Sequence, residues 1–242
     1  MDAQLIAMNT GSDTVTHGFL GVIVLDTRFP RPPGDIGCAQ TWSRAGIPVQ
    51  MRVVPGASAR RVVQEQDPAL LGPFTDAAQS LAAGGARLIT TSCGFLAGWQ
   101  NELQSAVSVP VIASSLLQCA GLRAPGIVTF DAASLHPALL RKAGVPAGTP
   151  VQGLAPGCEL QSRILGNDPV LDLAQACADV VEAAVQLVSW HPQVQTVVLE
   201  CTNMPPYRKA VEQATGRPAH DLETLLLKAW GRAQSSSTRR AG

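Results

Sequence analysis

Short apolar runs, each bounded by glycine or proline, recur along the 242-residue chain with helical stretches between them. This alternation is typical of parallel strands joined by helical crossovers. Eight runs fit strands, in two sets of four: residues 19–26, 48–54, 87–92 and 109–113, then 126–130, 150–154, 196–200 and 218–220. The chain is therefore predicted to be an α/β protein with two parallel sheets.

The two sets of strands correspond in their order and in their amino-acid sequence. Four landmarks repeat at offsets of 102 to 108 residues: Gly21 and Gly126, Pro48 and Pro150, Cys93 and Cys201, and Pro110 and Pro218. Near-constant offsets favour a duplicated unit. The alternative is that short apolar segments match by chance. We predict two pseudo-symmetric halves, 18–120 and 121–220, each with a four-stranded parallel sheet flanked by helices, and a cleft between them. The helix 221–232 is expected to complete the first half, and 1–17 and 233–242 to be flexible.

Composition limits the class of partner. The chain carries 18 Lys and Arg against 18 Asp and Glu, and only 4% of its residues are aromatic. A neutral chain with so few side chains for base stacking is not expected to bind nucleic acid or a membrane surface. The expected partners are a small molecule and a second copy of the chain. The N-terminal segment lacks the pattern of an export signal, which predicts a cytoplasmic location.

The six cysteines lie far apart, with no Cys-x-x-Cys pair and no His at metal-ligand spacing. Neither a zinc site nor a redox dithiol is indicated. The sequence also lacks a Gly-x-Gly-x-x-Gly fingerprint for a dinucleotide. We therefore expect no metal and no cofactor.

Two of the cysteines follow strands at the point where a helix begins. Cys93 lies in Thr90-Thr91-Ser92-Cys93-Gly94-Phe95, and Cys201 lies in Glu200-Cys201-Thr202-Asn203-Met204. The carboxyl edge of parallel strands is where open α/β sheets bind ligands, and free backbone N–H groups there favour thiolate over thiol. Duplication would place the two thiols on opposite sides of one substrate carbon. Such a pair can remove a proton from one face and return a proton to the other, which inverts a stereocentre.

With these motifs the sequence resembles the aspartate/glutamate racemase superfamily, which also contains hydantoin racemases, arylmalonate decarboxylases and maleate cis-trans isomerases. The resemblance covers roughly residues 18–230. It implies two Rossmann-like halves with the active site between them, a dimer, and two cysteines that act without pyridoxal phosphate or metal. Cys93 and Cys201 match those cysteines, and Thr202 and Asn203 match residues that hold the substrate carboxylate.

One departure from the amino-acid racemases concerns the substrate. They usually carry a polar pair after the first cysteine, where this chain has Gly94 and Phe95. An apolar wall there disfavours free aspartate or glutamate and favours a monocarboxylate or a cyclic amide with an apolar substituent. The group that faces Phe95 is expected to be apolar or to carry little charge.

Further candidates for substrate binding are small polar residues near the same edge. Thr91 and Ser92 precede the first cysteine, and Ser114 and Ser115 follow the fourth strand as carboxylate donors or as plain helix caps. Asp26 opens a loop, 27–37, which either turns under the ligand or is an ordinary surface loop.

The preferred hypothesis is a cofactor-independent racemase or epimerase acting next to a carboxylate or carboxylate-like group. Within the superfamily, a cis-trans isomerase or a decarboxylase remains open. A small-molecule binding protein without chemistry is the alternative of another class, since two similar halves around a cleft also suit ligand capture by hinge closure.

The clearest predicted helix spans 170–190, with Asp168 as its N-cap and Pro169 in its first turn. Its apolar residues at helical spacing predict which face is buried. These residues are Val170, Leu173, Ala174, Cys177, Val181, Ala184, Val185 and Val188.

Overall fold

The computed structural model describes residues 18–238. The predicted flexible segment 1–17 lies outside the described residues. In the C-terminal segment 233–242, also predicted to be flexible, the last helix continues through Thr238, and 239–242 lie outside the described residues.

All eight predicted strands are present, within two residues of the expected bounds. The first sheet contains β1 (Phe19–Leu25), β2 (Val49–Val54), β3 (Ala86–Thr91) and β4 (Val111–Ile112). The second contains β5 (Pro125–Thr129), β6 (Val151–Gly153), β7 (Thr196–Leu199) and β8 (Ala219–His220). Their orders are β2-β1-β3-β4 and β6-β5-β7-β8, with every pair parallel. The same order in both halves confirms the predicted fold class.

Helices flank both sheets. The α-helices are α1 (Ala39–Arg44), α2 (Leu71–Ala83), α3 (Gln100–Ser105), α4 (Pro137–Lys142), α5 (Glu159–Gly166), α6 (Leu173–Trp190), α7 (Arg208–Thr215) and α8 (Leu222–Thr238). Short 3₁₀ helices follow the third strand of each half, at Gly94–Trp99 and Pro205–Tyr207.

The repeated glycine of the first strands has a packing reason. A Cβ at Gly126 of β5 would lie 2.8 Å from a methyl of Val194, and one at Gly21 of β1 would lie 3.1 Å from Leu81. Such distances are shorter than ordinary contacts, so each half needs a residue without a side chain where an element packs on its sheet. The repeated sequence motif thus reflects repeated packing.

The two faces of the first sheet belong to different apolar clusters. One face joins the large core that continues through the second half. On the other face Leu222, Leu226 and Trp230 of α8 pack with Leu20, Val22 and Trp42. The C-terminal helix therefore covers the first half of the chain, far from it in sequence.

Helix α6 starts and faces differently from the prediction. Its N-cap is Asp172, whose carboxylate accepts hydrogen bonds from the backbone N–H groups of Ala174 and Gln175. Asp168 instead accepts from Val170 N–H and pairs with Arg163. The buried residues are Ala176, Asp179, Val180, Ala183, Ala184 and Leu187, whereas Val170, Leu173 and Val185 are exposed. Ala184 is buried as predicted, and Cys177, Val181 and Val188 pack half-buried against the core. The prediction fails at the exposed residues, because alanine and valine surround most of this helix and periodicity alone does not fix its orientation.

In the described part of the chain, the helices are too short or too polar to cross a membrane.

Candidate active site

Both cysteine motifs lie just beyond the carboxyl ends of β3 and β7. Cys93 and Cys201 are buried and line one small cavity between the halves. The lining comes from both motifs, from the end of β1 and the loop after it, from the segment after β2, from the end of β5 and from α5: Leu25, Phe29, Ala59, Val63, Ser92, Cys93, Gly94, Phe95, Phe130, Ile164, Glu200, Cys201, Thr202 and Asn203. Seven of the predicted site residues thus meet at one place.

Four other predicted substrate-binding residues are engaged elsewhere. The hydroxyl of Thr91 donates to a backbone carbonyl, at 2.8 Å from Ala113 O, and that of Ser115 donates to Leu199 O at 2.8 Å. Ser114 caps the 3₁₀ helix that follows it, by accepting from Leu116 N–H. Asp26 is exposed and accepts from Gly56 N–H. Their hydrogen bonds fix the backbone around the cavity, and none of the four lines it.

The polar side chains after Cys201 are held by protein groups. The hydroxyl of Thr202 donates to Ser92 O at 2.6 Å, which ties the two cysteine motifs together. Asn203 accepts a hydrogen bond from the Cys201 thiol, with 3.4 Å between sulfur and Oδ1, and donates from Nδ2 to Asp35. One Nδ2 proton of Asn203 remains for a ligand, since an amide nitrogen carries two.

Asp35 and Arg31, in the β1–α1 loop, form a support that the sequence did not single out. The buried Asp35 carboxylate accepts from Arg31 Nη1 at 2.9 Å and from Gly37 N–H at 2.7 Å, besides Asn203. The loop was predicted as a turn under the ligand or an ordinary surface loop. The signal that could have identified it is an Arg and an Asp four residues apart among loop prolines and glycines.

Burial keeps both cysteines protonated in the unliganded protein. Burial, with the nearby Glu200 as a smaller cause, raises the pKa of Cys93 to about 12 and places the pKa of Cys201 well above its usual range. Hydrogen bonds from backbone N–H groups lower the pKa of both thiols, as the strand-end position predicts, but this effect is smaller than that of burial. The expectation that their position makes them thiolates is wrong here, because the following 3₁₀ helices are short and desolvation dominates.

Glu200 is the second residue that the sequence left unassigned. Its carboxyl is fully buried, and burial raises its pKa to about 8, against the hydrogen bond that Thr129 donates to Oε2 at 2.8 Å. A Cβ at Gly94 would lie 2.2 Å from Glu200 Oε1. The glycine after Cys93, read from the sequence as a departure from the racemases, thus makes room for this carboxyl.

Three of the five phenylalanines of the chain line the cavity: Phe29, Phe95 and Phe130. Phe95 and Phe130 meet edge to face, with ring centroids 6.2 Å apart. The guanidinium of Arg31 lies 4.5 Å over the centroid of Phe29, so this ring already contacts one cation. Ring faces attract cations as well as apolar groups, which widens the substrate classes that suit the wall at Phe95.

The cavity is small. Its volume is about 20 Å³, which is room for about one water molecule. A groove of about 200 Å³ lies on the other side of Phe95 and Leu96, bordered by Trp99, Leu139 and Lys142. Any substrate larger than water requires movement of the walls.

Within residues 18–238, no three His, Cys, Asp or Glu side chains are arranged to hold a metal ion.

Comparison with known proteins identifies the family of the chain. No family model matches it. Dimethylsulfoniopropionate lyase of Durusdinium sp. clade D is 31% identical over 222 residues, which cover 86% of this chain and 72% of that protein. The chain belongs to the family of the dimethylsulfoniopropionate lyases. Dimethylsulfoniopropionate lyase 7 of Emiliania huxleyi is 28% identical, and the match covers 85% of this chain but only 64% of that protein.

Solved structures of other proteins share the fold of this chain. Unliganded arylmalonate decarboxylase superposes with a TM-score of 0.59 at 18% identity, over 89% of this chain and 92% of that chain. Glutamate racemase from Thermus thermophilus superposes with a TM-score of 0.55 at 19% identity, over 91% of this chain and 82% of that chain. The fold that the resemblance to the aspartate/glutamate racemase superfamily predicts is confirmed. The relatives found by sequence are named as lyases.

Proposed function

We propose that this chain is a lyase that removes a proton next to the carboxylate of dimethylsulfoniopropionate and expels dimethyl sulfide. The observation that carries the proposal is the meeting of two cysteines and three phenylalanine rings in one cavity. A thiolate is a suitable base for a carbon acid, and aromatic rings suit a sulfonium group, a cation with little hydration.

The elimination balances without a cofactor. A thiolate forms an S–H bond with the α-proton, the C–H electron pair becomes the carbon–carbon double bond, and the C–S pair leaves with dimethyl sulfide. The products are acrylate and dimethyl sulfide, with one proton released in the full cycle. We assign the base to Cys93, because the proton of Cys201 is already donated to Asn203.

The substrate itself favours ionisation of the base. Burial opposes a thiolate in the empty cavity. A sulfonium bound among the rings would bring a positive charge within a few ångströms in a medium of low dielectric, which lowers the pKa of a nearby thiol. The carboxylate end would face Asn203 and the backbone N–H groups after Cys201, so charge is neutralised at both ends.

The racemase predicted from the sequence shares the first step, removal of the α-proton by cysteine. The presence of the second thiol, which an elimination does not need as a base, is the specific observation in its favour. The two functions differ in the fate of the carbanion: loss of sulfide in one, and protonation from the opposite face in the other.

The deciding experiment supplies dimethylsulfoniopropionate and, separately, chiral monocarboxylates in deuterated water. We expect dimethyl sulfide in the headspace and acrylate by NMR, with no inversion of the chiral acids. Inversion with α-deuteration and no sulfide would replace the lyase by the racemase. Binding without either reaction would replace both by a binding protein.

Single cysteine variants separate the schemes further. Cys93→Ser should lower kcat by about 1000-fold, within the range for loss of a general base. Cys201→Ser should lower it by about tenfold or less, because its thiol stays protonated. The matched control is Cys158→Ser, at a helix N-cap where serine is well accepted. Equal and complete loss in both site variants would contradict the one-base scheme.

Recognition of the cation is tested with unreactive probes of one shape. The trimethylammonium analogue of the substrate carries the charge, whereas 4,4-dimethylpentanoate replaces the charged nitrogen by a neutral carbon of the same shape. We expect the cationic probe to inhibit about tenfold more strongly, and Phe95→Leu to reduce that ratio by about three- to tenfold. An unchanged ratio in Phe95→Leu, Phe29→Leu and Phe130→Leu would remove the aromatic recognition.

A further inference from the structure

Glu200 has a buried oxygen atom without a hydrogen bond. Its Oε2 accepts from Thr129, but Oε1 has no partner among the described residues. Buried polar atoms in folded proteins almost always have partners, and those that lack one need an explanation. An orphaned carboxyl oxygen at the edge of a cavity is ready to accept a proton.

The position of this oxygen relates it to both cysteines. Glu200 directly precedes Cys201 along the chain, and Oε1 packs on Gly94, the residue after Cys93. All four residues line the same cavity. The carboxyl therefore lies between the segments that carry the two thiols.

The groups that face Glu200 leave the thiols as its proton-exchange partners. From β5, Thr129 contributes a neutral hydroxyl, and the ends of β3 and β7 contribute Cys93 and Cys201. Glu200 acts on the pKa of both thiols, and Arg31 and Asp35 act on them from the β1–α1 loop. Burial also raises the pKa of Glu200 towards neutrality, so the carboxyl can change its protonation at ordinary pH.

We propose that Glu200 exchanges a proton with the Cys93 thiol and so determines when that thiol becomes the base. Cys93 is the partner, since the thiol proton of Cys201 is donated to Asn203. Glu200 acts on the substrate only through Cys93 and is a positioning residue for its proton.

The proton balance of the cycle is complete. The S–H bond of Cys93 breaks as an O–H bond forms at Glu200 Oε1. The thiolate then takes the α-proton and becomes a thiol again, as dimethyl sulfide leaves with the C–S electron pair. Glu200 releases its proton to solvent and returns to the ionised form. This last part of the cycle rests on the proposed function, whereas the exchange between carboxyl and thiol does not.

The kinetic test uses Glu200→Gln, with Glu182→Gln on the exposed side of α6 as the control. We expect kcat to fall by about 100-fold with KM changed less than about threefold, and Glu200→Asp to recover part of the loss. The wild-type rate should rise with pH through about 8, and this limb should be absent in Glu200→Gln. An unchanged kcat and pH profile, or an increase in KM alone, would overturn the proposal; the latter would make Glu200 a counter-ion for the sulfonium.

A measurement without turnover separates this proposal from the proposed function. Infrared difference spectra of the wild type between about pH 6 and pH 10 should show a buried carboxylic acid band that disappears at the higher pH and is missing in Glu200→Gln. Absence of that band contradicts the role of Glu200 alone. A wild type that shows the band but releases no dimethyl sulfide contradicts the lyase alone.

Folding of the variant is checked through the pH dependence of stability. The carboxyl pKa is raised from 4.5 to about 8 by burial. Its stabilising contribution is therefore fully present below about 4.5 and is lost as pH rises through about 8. Glu200→Gln should unfold at a temperature close to that of the wild type near pH 4.5 and at a higher one near pH 9. A variant already unfolded at pH 6 would show a structural role instead.

Discussion

Gly94 shows how a single residue links the two halves. Its backbone touches both the carboxyl and the backbone carbonyl of Glu200. A residue with a side chain would separate the two cysteine motifs. The glycine thus sets the width of the cavity, and Phe95 then forms its wall.

The variants Gly94→Ala and Gly98→Ala test this close approach within one 3₁₀ helix. A Cβ at position 94 would lie 2.3 Å from Glu200 O, a backbone atom that cannot turn away, whereas one at 98 would meet nothing nearer than 3.8 Å. We expect Gly94→Ala to lose about 2 kcal/mol or more of unfolding free energy and most of the activity. Gly98→Ala should stay within about 0.5 kcal/mol. Equal urea unfolding curves would contradict the contact.

Asp35 allows a comparison of a buried with an exposed ion pair. Asp35 is fully buried beside Arg31, while the pair Asp67–Arg61 is partly exposed. Asp35→Asn should lower the unfolding free energy by about 3 kcal/mol, since it leaves Arg31 and Asn203 with unmatched donors. Asp67→Asn should lower it far less, since water screens an exposed ion pair. If the two variants unfold at the same urea concentration, Asp35 is not the support of the loop.

At the scale of elements, α6 shows what a local pattern predicts and where it fails. The helix exists where its apolar spacing placed it, but it begins three residues after the predicted start, and only part of the predicted face lies inwards. The position of α6 is fixed by the sheet and by α5. The backbone N–H of Leu160 in α5 donates a hydrogen bond to the carboxylate of Asp179 in α6. A polar residue on the buried face is not predicted by hydrophobic periodicity.

The cap of α6 is tested by replacing the observed capping residue, Asp172, and the predicted one, Asp168, separately by alanine. Asp172→Ala should cost about 1 kcal/mol, because two backbone N–H groups lose their acceptor. Asp168→Ala removes a partly exposed ion pair and one turn hydrogen bond, and should lower stability less than Asp172→Ala does. Urea titrations measure both. The opposite order would place the cap at Asp168.

At the scale of the whole molecule, the chain closes on itself. Helix α8 follows the second half but packs on the first sheet, through Leu222, Leu226 and Trp230. The large apolar core is continuous through both halves. The two halves are therefore expected to unfold together.

Trp230 and Leu227 provide a matched pair on α8. Trp230 is 6% exposed in the cluster of the first sheet, and Leu227 is 39% exposed. Trp230→Ala should cost about 3 to 5 kcal/mol and lower the midpoint for both halves in one transition. Leu227→Ala should change stability by less than about 1 kcal/mol. Separate transitions, followed by calorimetry, would show that α8 and the first half form an independent unit.

The site was predictable to the extent that it depends on local pattern. Cys93 and Cys201 were placed at strand ends by the apolar runs and the offset between the halves, and both line the cavity. Thr91, Ser114 and Ser115 were chosen for their chemistry, but their hydroxyls serve nearby backbone groups. Sequence spacing does not tell which of several hydroxyls faces a cavity.

The sequence by itself determined the eight strands, their division into two halves and the edge at which the cysteines lie. Each of these follows from the spacing of apolar residues within short segments and from the glycines and prolines that end those segments. Only the tertiary structure decided the protonation of the thiols, the enclosure of Glu200 and the support of Asn203 by Asp35, 168 residues away. The physical reason is that desolvation and hydrogen bonding depend on which distant segments come into contact, and no local pattern encodes that contact.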